Sequence, residues 1–214
     1  DMLDEYNTIL DRAEAELVEK KSRFIATVSP AKTEEEARAF IAEMKKKYWD
    51  ARHNVFAYQI GERNEIQRSS DDGEPQGTAG KPVLDVLIGG DIKNTVIVVT
   101  RYFGGTLLGT GGLVRAYGQS AKAAVENAKI MCVCQGVGFF LKCDYNSIGK
   151  IKYIMVQMGI EAMEEYGEDV LLHINMKEKD FENFKSQVVE VTGGKAKFSK
   201  ISNIEYKEGI EKIK

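Results

Sequence analysis

The pattern of apolar and polar positions divides the first part of the chain into strands and helices. A β-branched run from Thr95 to Val99 has no helical period, which is typical of a strand covered on both faces. Apolar residues at three- and four-residue spacing then predict a helix from about Leu113. Another helix is predicted after Thr33, because a threonine suits the N-cap and glutamates follow it in the first turn. The segment from Glu14 to Val28 alternates unevenly and is interpreted as one strand.

The last third of the chain has a regular alternation of its own. Its pattern predicts strands at 139–144, 160–166, 170–176 and 195–206, with helices at 147–158 and 180–191. This order, βαββαβ, is that of a split βαβ domain. We therefore predict an α+β protein with two domains, residues 1–134 and 137–214.

Composition and charge restrict the classes of function. With 43% hydrophobic and 29% charged residues, the chain resembles an ordinary globular protein that buries a core. The net charge is −3, so nucleic-acid binding would need a local basic patch. No apolar run reaches the roughly 18–20 residues of a membrane span, and the N-terminal segment lacks a secretion-signal pattern. We expect a cytoplasmic protein with no membrane association and with its three cysteines free.

A glycine cluster lies between the Thr95–Val99 strand and the helix that follows. It contains Gly104, Gly105, Gly109, Gly111 and Gly112. A strand, a glycine loop and a helix can bind an anion through the unpaired N–H groups of the first helical turn, and Arg101 and Arg115 flank this loop. The spacing is not that of a phosphate-binding P-loop, because Thr110 stands where the lysine should be. A tight turn without any ligand explains the glycines equally well.

A second loop, residues 68–82, is rich in polar residues and turn formers. Its sequence, RSSDDGEPQGTAGKP, argues against a regular element and supplies the cations Arg68 and Lys81. Its other polar side chains form a candidate polar site with a histidine at the start of the preceding strand: His53, Ser70, Asp71, Asp72 and Glu74. The calcium-loop spacing is absent, so we expect no metal. No Gly-x-Ser-x-Gly motif is present either, and we assign no catalytic residue.

Four segments together resemble the YigZ/IMPACT family. They are KKSRFIA at 20–26, DARHNVFAY at 50–58, RSSDDGEPQGTAGKPVLDVL at 68–87 and VVTRYFGGTLLGTGGLVRAYGQ at 98–119. The resemblance implies an N-terminal domain like the second domain of small-subunit ribosomal protein S-five, with a mixed sheet and helices on one side. It also implies a C-terminal ferredoxin-like domain similar to the last domain of elongation factor G.

The resemblance also implies a role in translation. Eukaryotic relatives regulate translation initiation by competing for a scaffold protein that activates an initiation-factor kinase. We therefore expect a non-enzymatic regulatory protein without a cofactor, which binds RNA, the ribosome or an anionic protein surface. The predicted anion-binding residues are Arg68, Lys81, Arg101, Gly104, Gly105, Gly111, Gly112 and Arg115.

Two other functions remain open at this point. The S-five-like architecture also serves small-molecule kinases, so the chain could be a nucleotide- or phosphate-dependent enzyme, with Lys81 near the phosphates and Asp71 or Asp72 as the base. Alternatively, the two loops could form the docking surface of a protein-interaction module.

Overall fold

A computed structural model describes residues 5–209 of the chain. The strands are β1 (Glu5–Ile9), β2 (Ala13–Glu19), β3 (Ser22–Pro30), β4 (His53–Ile60), β5 (Ile66–Ser70), β6 (Thr95–Tyr102), β7 (Ile130–Cys143), β8 (Ala162–Tyr166), β9 (Val170–Lys177) and β10 (Lys197–Gly209). The helices are α1 (Glu34–Lys47), α2 (Gly80–Gly89), α3 (Gly109–Asn127), α4 (Ile148–Met158) and α5 (Glu178–Thr192). Two compact units are present, mainly Tyr6–Cys132 and Val133–Lys207, and the predicted α+β fold with two domains is confirmed.

The N-terminal unit is built on a five-stranded sheet with the order β2-β3-β6-β4-β5. All four strand pairings are antiparallel. On the central strand β6, Val96 and Val98 pack with α1, whereas Ile97 and Val99 pack with α2 and α3. The sheet is therefore antiparallel and covered on both faces, and the mixed sheet with one-sided helices implied by the resemblance is not observed. The continuous apolar run of β6 is the physical reason, because both of its faces need a cover.

The segment predicted as one strand from Glu14 to Val28 is a hairpin. Strands β2 and β3 pair antiparallel, and the turn between them places Lys20 and Lys21 at φ 46° and 66°. Two consecutive positive φ values match the twist that two-residue hairpin turns favour. Lysine is uncommon in this conformation, which is why the sequence did not indicate the turn.

The 68–82 segment is only partly irregular, which corrects the prediction that it holds no regular element. Strand β5 extends to Ser70 and α2 already begins at Gly80. A Cβ on Gly80 would lie 2.7 Å from the backbone carbonyl carbon of Ser70, so the helix start approaches the strand end too closely for a side chain. Pro82 fits the first helical turn, where its missing N–H has no intrahelical acceptor.

The two helices predicted in the N-terminal unit, α1 and α3, lie close to their expected positions. Helix α1 follows Thr33, whose side-chain oxygen accepts a hydrogen bond from the Glu36 N–H at 3.2 Å, so the predicted N-cap is confirmed. Helix α3 begins at Gly109 rather than near Leu113, because its first turn includes Gly111 and Gly112 although glycine is a poor helix former.

The C-terminal unit has the order β7, α4, β8, β9, α5, β10, and its strands lie in the sheet order β10-β7-β9-β8. This is the split βαβ arrangement, so the predicted ferredoxin-like topology is confirmed. Both helices cover one face of this sheet, and the core between them contains Phe139 of β7 with Phe181 and Phe184 of α5. Within residues 5–209, the three cysteines form no disulfide bond. Within residues 5–209, none of the helices has the length and apolarity needed to cross a bilayer.

Candidate functional site

Both glycine-rich segments, the β6–α3 loop and the 68–82 loop, lie at one end of the N-terminal sheet. Strand β6 ends at Tyr102 beside the start of β4, where Arg101 and His53 are register partners. The chain after β6 then lies against the β2–β3 turn, because Gly104 N–H donates to Ser22 Oγ at 3.1 Å. A Cβ on Gly104 would lie 2.1 Å from the Lys21 carbonyl carbon, so only glycine fits this approach. Gly104, in the first glycine cluster, therefore allows the β6–α3 loop to pack against the β2–β3 turn.

Glu74 links the 68–82 loop to the same end of the N-terminal sheet. Its side chain is 3% exposed, and its Oε1 accepts hydrogen bonds from Arg101 Nη1 and from the Tyr117 hydroxyl, both at 2.7 Å. Arg101 is on β6 and Tyr117 is on α3, so one carboxylate joins a loop, a strand and a helix. We call Glu74, Arg101 and Tyr117 the Glu74 network.

Burial gives the Glu74 network its electrostatic character. The Arg101 side chain is 7% exposed and its guanidinium lies over the rings of Phe24 and Phe103, at 5.7 and 5.6 Å from their centroids. Burial raises the pKa of Tyr117, and the hydrogen bond to the Glu74 carboxylate raises it further. Tyr117 therefore stays a neutral donor at physiological pH. Arg101 supplies the cation that faces the buried Glu74 carboxylate.

Arg101 Nε is not part of this network. It is buried and finds no hydrogen-bond partner among the residues that the structure describes.

His53 lies at the edge of the Glu74 network in a defined tautomer. Its Nδ1 is 2.8 Å from the backbone carbonyl oxygen of Asp72, which can only accept, so Nδ1 carries the proton. The other ring nitrogen, Nε2, lies 3.8 Å from Glu74 Oε1. The Asp72 carboxylate itself accepts from the Asn54 N–H at 2.7 Å and lies 3.3 Å from Lys45 Nζ. These contacts hold the loop against the start of β4.

Asp71 stabilises the 68–82 loop and caps α2. Its carboxylate accepts three backbone N–H groups, those of Gly77 at 2.8 Å, Ala79 at 3.1 Å and Gly80 at 2.8 Å. Burial alone would raise the pKa of Asp71, but the three donors outweigh it and hold the pKa below its usual value. Ala79, the N-cap residue of α2, has no side chain that could cap the helix, so Asp71 takes over that role.

The start of α3 forms one wall of an open cavity of about 170 Å³. We call it the Arg115 cavity, and its lining residues are Glu19, Lys20, Leu108, Gly112, Arg115, Ala116 and Gln119. Leu108, the N-cap residue of α3, makes no capping hydrogen bond through its side chain, and the first turn holds no acidic residue. Neither Arg115 nor Lys20 forms an ion pair with any residue between 5 and 209. Two cations thus lie beside N–H groups at the positive end of a helix dipole.

Some of the predicted site residues lie at the Glu74 network or at the Arg115 cavity, and the others lie on the surrounding surface. Gly112 and Arg115 line the Arg115 cavity, and Gly111 lies beside them in the first turn of α3. Lys81 is exposed and pairs with Asp85 at 2.8 Å, and Arg68 is exposed on β5. Neither of these two lines the cavity. Gly105 is exposed in the β6–α3 loop at φ 86°. Ser70 Oγ accepts from the Asp72 N–H at 3.2 Å within the polar loop.

Sequence reasoning missed two residues of this region. Lys20 falls within the segment that the sequence analysis interprets as one strand, whereas its position in a turn beside α3 depends on the unrecognised hairpin. The same reasoning places Tyr117 only on the apolar face of α3. Its hydroxyl was a usable signal, because a tyrosine in an apolar stripe needs a hydrogen-bond partner when it is buried.

Comparison with known proteins identifies the relatives of this chain. The sequence model of the Impact N-terminal domain matches residues 20–125, a span that contains both Lys20 and Arg115. A domain of unknown function, DUF1949, matches residues 141–195. The IMPACT family member YvyE of Bacillus subtilis (strain 168) is 41% identical over 201 residues, which cover 91% of this chain and 90% of that protein. The chain belongs to the IMPACT family.

Other relatives extend the similarity. The IMPACT family member YigZ of Escherichia coli (strain K12) is 35% identical over 178 residues, covering 82% of this chain and 87% of that protein. Protein IMPACT of Mus musculus is 34% identical over 98 residues, but these cover only 44% of this chain and 30% of the mouse protein. A crystal structure described as that of a hypothetical protein has a TM-score of 0.61 and 30% identity, covering 92% of this chain and 97% of that one.

Proposed function

We propose that this IMPACT family protein is a non-enzymatic, cytoplasmic regulator of translation that binds RNA phosphate at the Arg115 cavity. One observation carries the proposal. Arg115 and Lys20 line the same open cavity at the start of α3, and neither cation is neutralised by a carboxylate within the described part of the chain.

The chemistry of the cavity suits a phosphate group. A guanidinium can donate two parallel hydrogen bonds to phosphate oxygens, and a lysine adds a point charge. The uncapped first turn of α3 adds backbone N–H donors, and Gly112 of that turn lines the cavity. Glu19 also lines the cavity and opposes an anion, but the two cations outnumber it.

In this proposal Arg101 has a supporting role. Its Nη1 is buried in the ion pair with Glu74. A phosphate contact at Arg101 would therefore require breaking a buried ion pair. The Glu74 network instead fixes α3 through Tyr117, which lies two positions beyond Arg115 on the same helix. We therefore place phosphate binding at Arg115 and Lys20, with Gly111 and Gly112 beside them.

The translational part of the proposal rests on family membership. The IMPACT family includes Protein IMPACT of Mus musculus, with which the chain shares its N-terminal unit. The resemblance implies that such relatives regulate translation initiation, and contact with RNA would place this protein near the same machinery.

The test is a binding titration of the full chain with fluorescently labelled tRNA and rRNA fragments over a range of salt concentrations. Affinity should fall as salt rises, because each neutralised phosphate releases counterions. The double variant Lys20→Gln with Arg115→Gln should bind more weakly and show a slope reduced by about two phosphates, at about 0.7–0.9 each. Lys81→Gln is the matched control, because Lys81 is exposed and already paired with Asp85. Binding that ignores salt, or that the double variant retains in full, would contradict the proposal.

A protein-interaction module is a second candidate, and the β6–α3 loop favours it. Phe103 is 55% exposed and Leu107 is 81% exposed in this loop, and exposed apolar side chains of this size are common at protein interfaces. Pull-down from nuclease-treated lysate separates the two candidates. A partner bridged by RNA disappears on nuclease treatment, whereas a partner that docks on Phe103 and Leu107 stays and no longer binds the Leu107→Ser variant.

A further inference from the structure

The C-terminal sheet has an open face on the side opposite to α4 and α5. Alternate residues of β7, such as Phe139 and Leu141, point into the core beneath the helices. The residues between them point the other way, and Phe140 is therefore on the open face. Phe140 is the register partner of His173 on β9, and His173 is the register partner of Met163 on β8. One row of side chains thus crosses three neighbouring strands.

An aromatic stack forms the centre of this row. The rings of Phe140 and His173 lie 4.7 Å apart with an interplanar angle of 13°. The two residues belong to β7 and β9, which are the two central strands in the sheet order β10-β7-β9-β8. This stack is outside the packed core of the unit, which lies on the other face of the sheet. Core packing therefore does not account for it.

A lysine extends the row on the fourth strand. Lys200 Nζ lies 5.1 Å from the centroid of the Phe140 ring, on β10. The backbone of Lys200 takes φ 51°, a left-handed conformation that is rare for a lysine within a strand. An irregular residue of this kind re-aims a side chain and is enriched at functional sites.

Uncompensated positive charge lies along the same strand. Lys197 and Lys200 are both exposed, and neither forms an ion pair within residues 5–209. Lys142, also on the open face, is paired with Asp169 at 3.0 Å. The unpaired lysines named here thus lie on β10, next to the Phe140 ring. A polyanion that also carries flat aromatic groups matches both features.

We propose that this open face binds single-stranded RNA, with bases stacking on the Phe140–His173 pair and phosphates contacting Lys197 and Lys200. Four-stranded sheets of split βαβ topology can present aromatic side chains of their central strands to unpaired bases. A base approaches the stack from the Lys200 side, because that side chain is exposed and can turn from the ring to a phosphate. Duplex RNA is excluded, since its bases are already stacked and paired. The site is separate from the Arg115 cavity and does not depend on it.

The test uses the full chain and a short, fluorescently labelled single-stranded oligouridylate, with a duplex of equal length for comparison. Phe140→Leu keeps an apolar side chain but removes the stacking surface, so the affinity for the single strand should fall about tenfold or more. Phe140→Tyr keeps the ring and should bind like the unmodified protein. Lys197→Gln with Lys200→Gln should lower the salt slope by about 0.7 for each phosphate that is no longer neutralised. Lys150→Gln, an exposed lysine on α4, is the matched charge control.

Photo-crosslinking of a thiouridine-containing oligonucleotide completes the test, and its crosslinks should map to β7, β9 or β10. The inference is overturned if Phe140→Leu and Phe140→Tyr bind equally well, if duplex RNA binds as tightly, or if crosslinks map elsewhere. Lys20→Gln with Arg115→Gln separates this inference from the proposed function. If that variant abolishes oligouridylate binding while Phe140→Leu preserves it, the open face is not the binding site. If Lys20→Gln with Arg115→Gln leaves oligouridylate binding unchanged while Phe140→Leu weakens it, the open face binds RNA independently of the Arg115 cavity.

Discussion

Arg101 and Arg115 flank the same glycine loop, yet they occupy opposite environments. Arg101 is buried in an ion pair with Glu74 and lies over two phenylalanine rings, whereas Arg115 is exposed and lines an open cavity. The first arginine holds a strand, a loop and a helix together, while the second leaves its charge available. An arginine beside a glycine loop is thus no evidence of anion binding until its carboxylate partners are known.

The largest effect is expected from removing the charge of Arg101. Arg101→Met leaves Glu74 buried without its cation, and the free energy of unfolding should fall by about 3–5 kcal/mol. Urea denaturation measures this change. The double variant Arg101→Met with Glu74→Gln should recover part of it, because no uncompensated charge then remains. If Arg101→Met costs no more than Arg115→Met, the buried pair does not have the role assigned to it.

A smaller effect is expected at Tyr117, because it supplies a hydrogen bond rather than a charge. Tyr117→Phe should lower the free energy of unfolding by about 1–3 kcal/mol, since Glu74 loses one donor. The folded-state pKa of Tyr117 is raised, so its contribution is present at neutral pH and is lost as pH rises above about 10. Urea denaturation at neutral and alkaline pH should therefore show a weaker alkaline loss of stability in the variant.

Tyr145→Phe serves as the control for this experiment. Tyr145 is exposed in the C-terminal unit and donates to the Gly167 carbonyl, so its substitution should lower the free energy of unfolding less than Tyr117→Phe does. An identical alkaline profile in Tyr117→Phe and in the unmodified protein would contradict the prediction.

Asp71 tests how the polar loop is held. Asp71→Asn should lower the free energy of unfolding by about 0.5–2 kcal/mol, as expected for loss of a helix cap. The folded-state pKa of Asp71 is lowered, so its contribution is present above about pH 4 and is lost as pH falls through the folded-state value. Acid denaturation should therefore be less dependent on pH in the variant. Asp85→Asn, an exposed carboxylate paired with Lys81, should behave like the unmodified protein.

The smallest change in stability is expected at the Arg115 cavity. Lys20→Gln with Arg115→Gln should alter the free energy of unfolding by less than about 0.5 kcal/mol, because neither side chain has an ion-pair partner within residues 5–209. Inorganic phosphate should raise the Tm of the unmodified protein through binding to the folded state, and it should not do so in the double variant. Equal phosphate stabilisation in both proteins would place the anion elsewhere.

Local patterns predicted much of the fold. The Thr33 cap and its glutamates located α1, and the β-branched run located β6, because both depend on interactions within a few residues. The Lys20–Lys21 turn was missed, since no glycine or asparagine marked its positive φ values. Helix α2 was not predicted, and the signal for its start is hidden for a similar reason. Its cap comes from Asp71, nine residues upstream of Gly80, where no local pattern would show it.

The sequence by itself determined the family, the two-domain α+β architecture and the residues that carry charge and aromatic rings. Tertiary structure alone decided which charged groups have buried partners. The partners in the Glu74–Arg101 ion pair are 27 residues apart in the sequence, and those in the Glu74–Tyr117 hydrogen bond are 43 residues apart. It also decided that Phe140 and His173 stack on an open sheet face. Periodicity shows which side of an element a residue is on, but pairing between distant segments depends on how the whole chain packs.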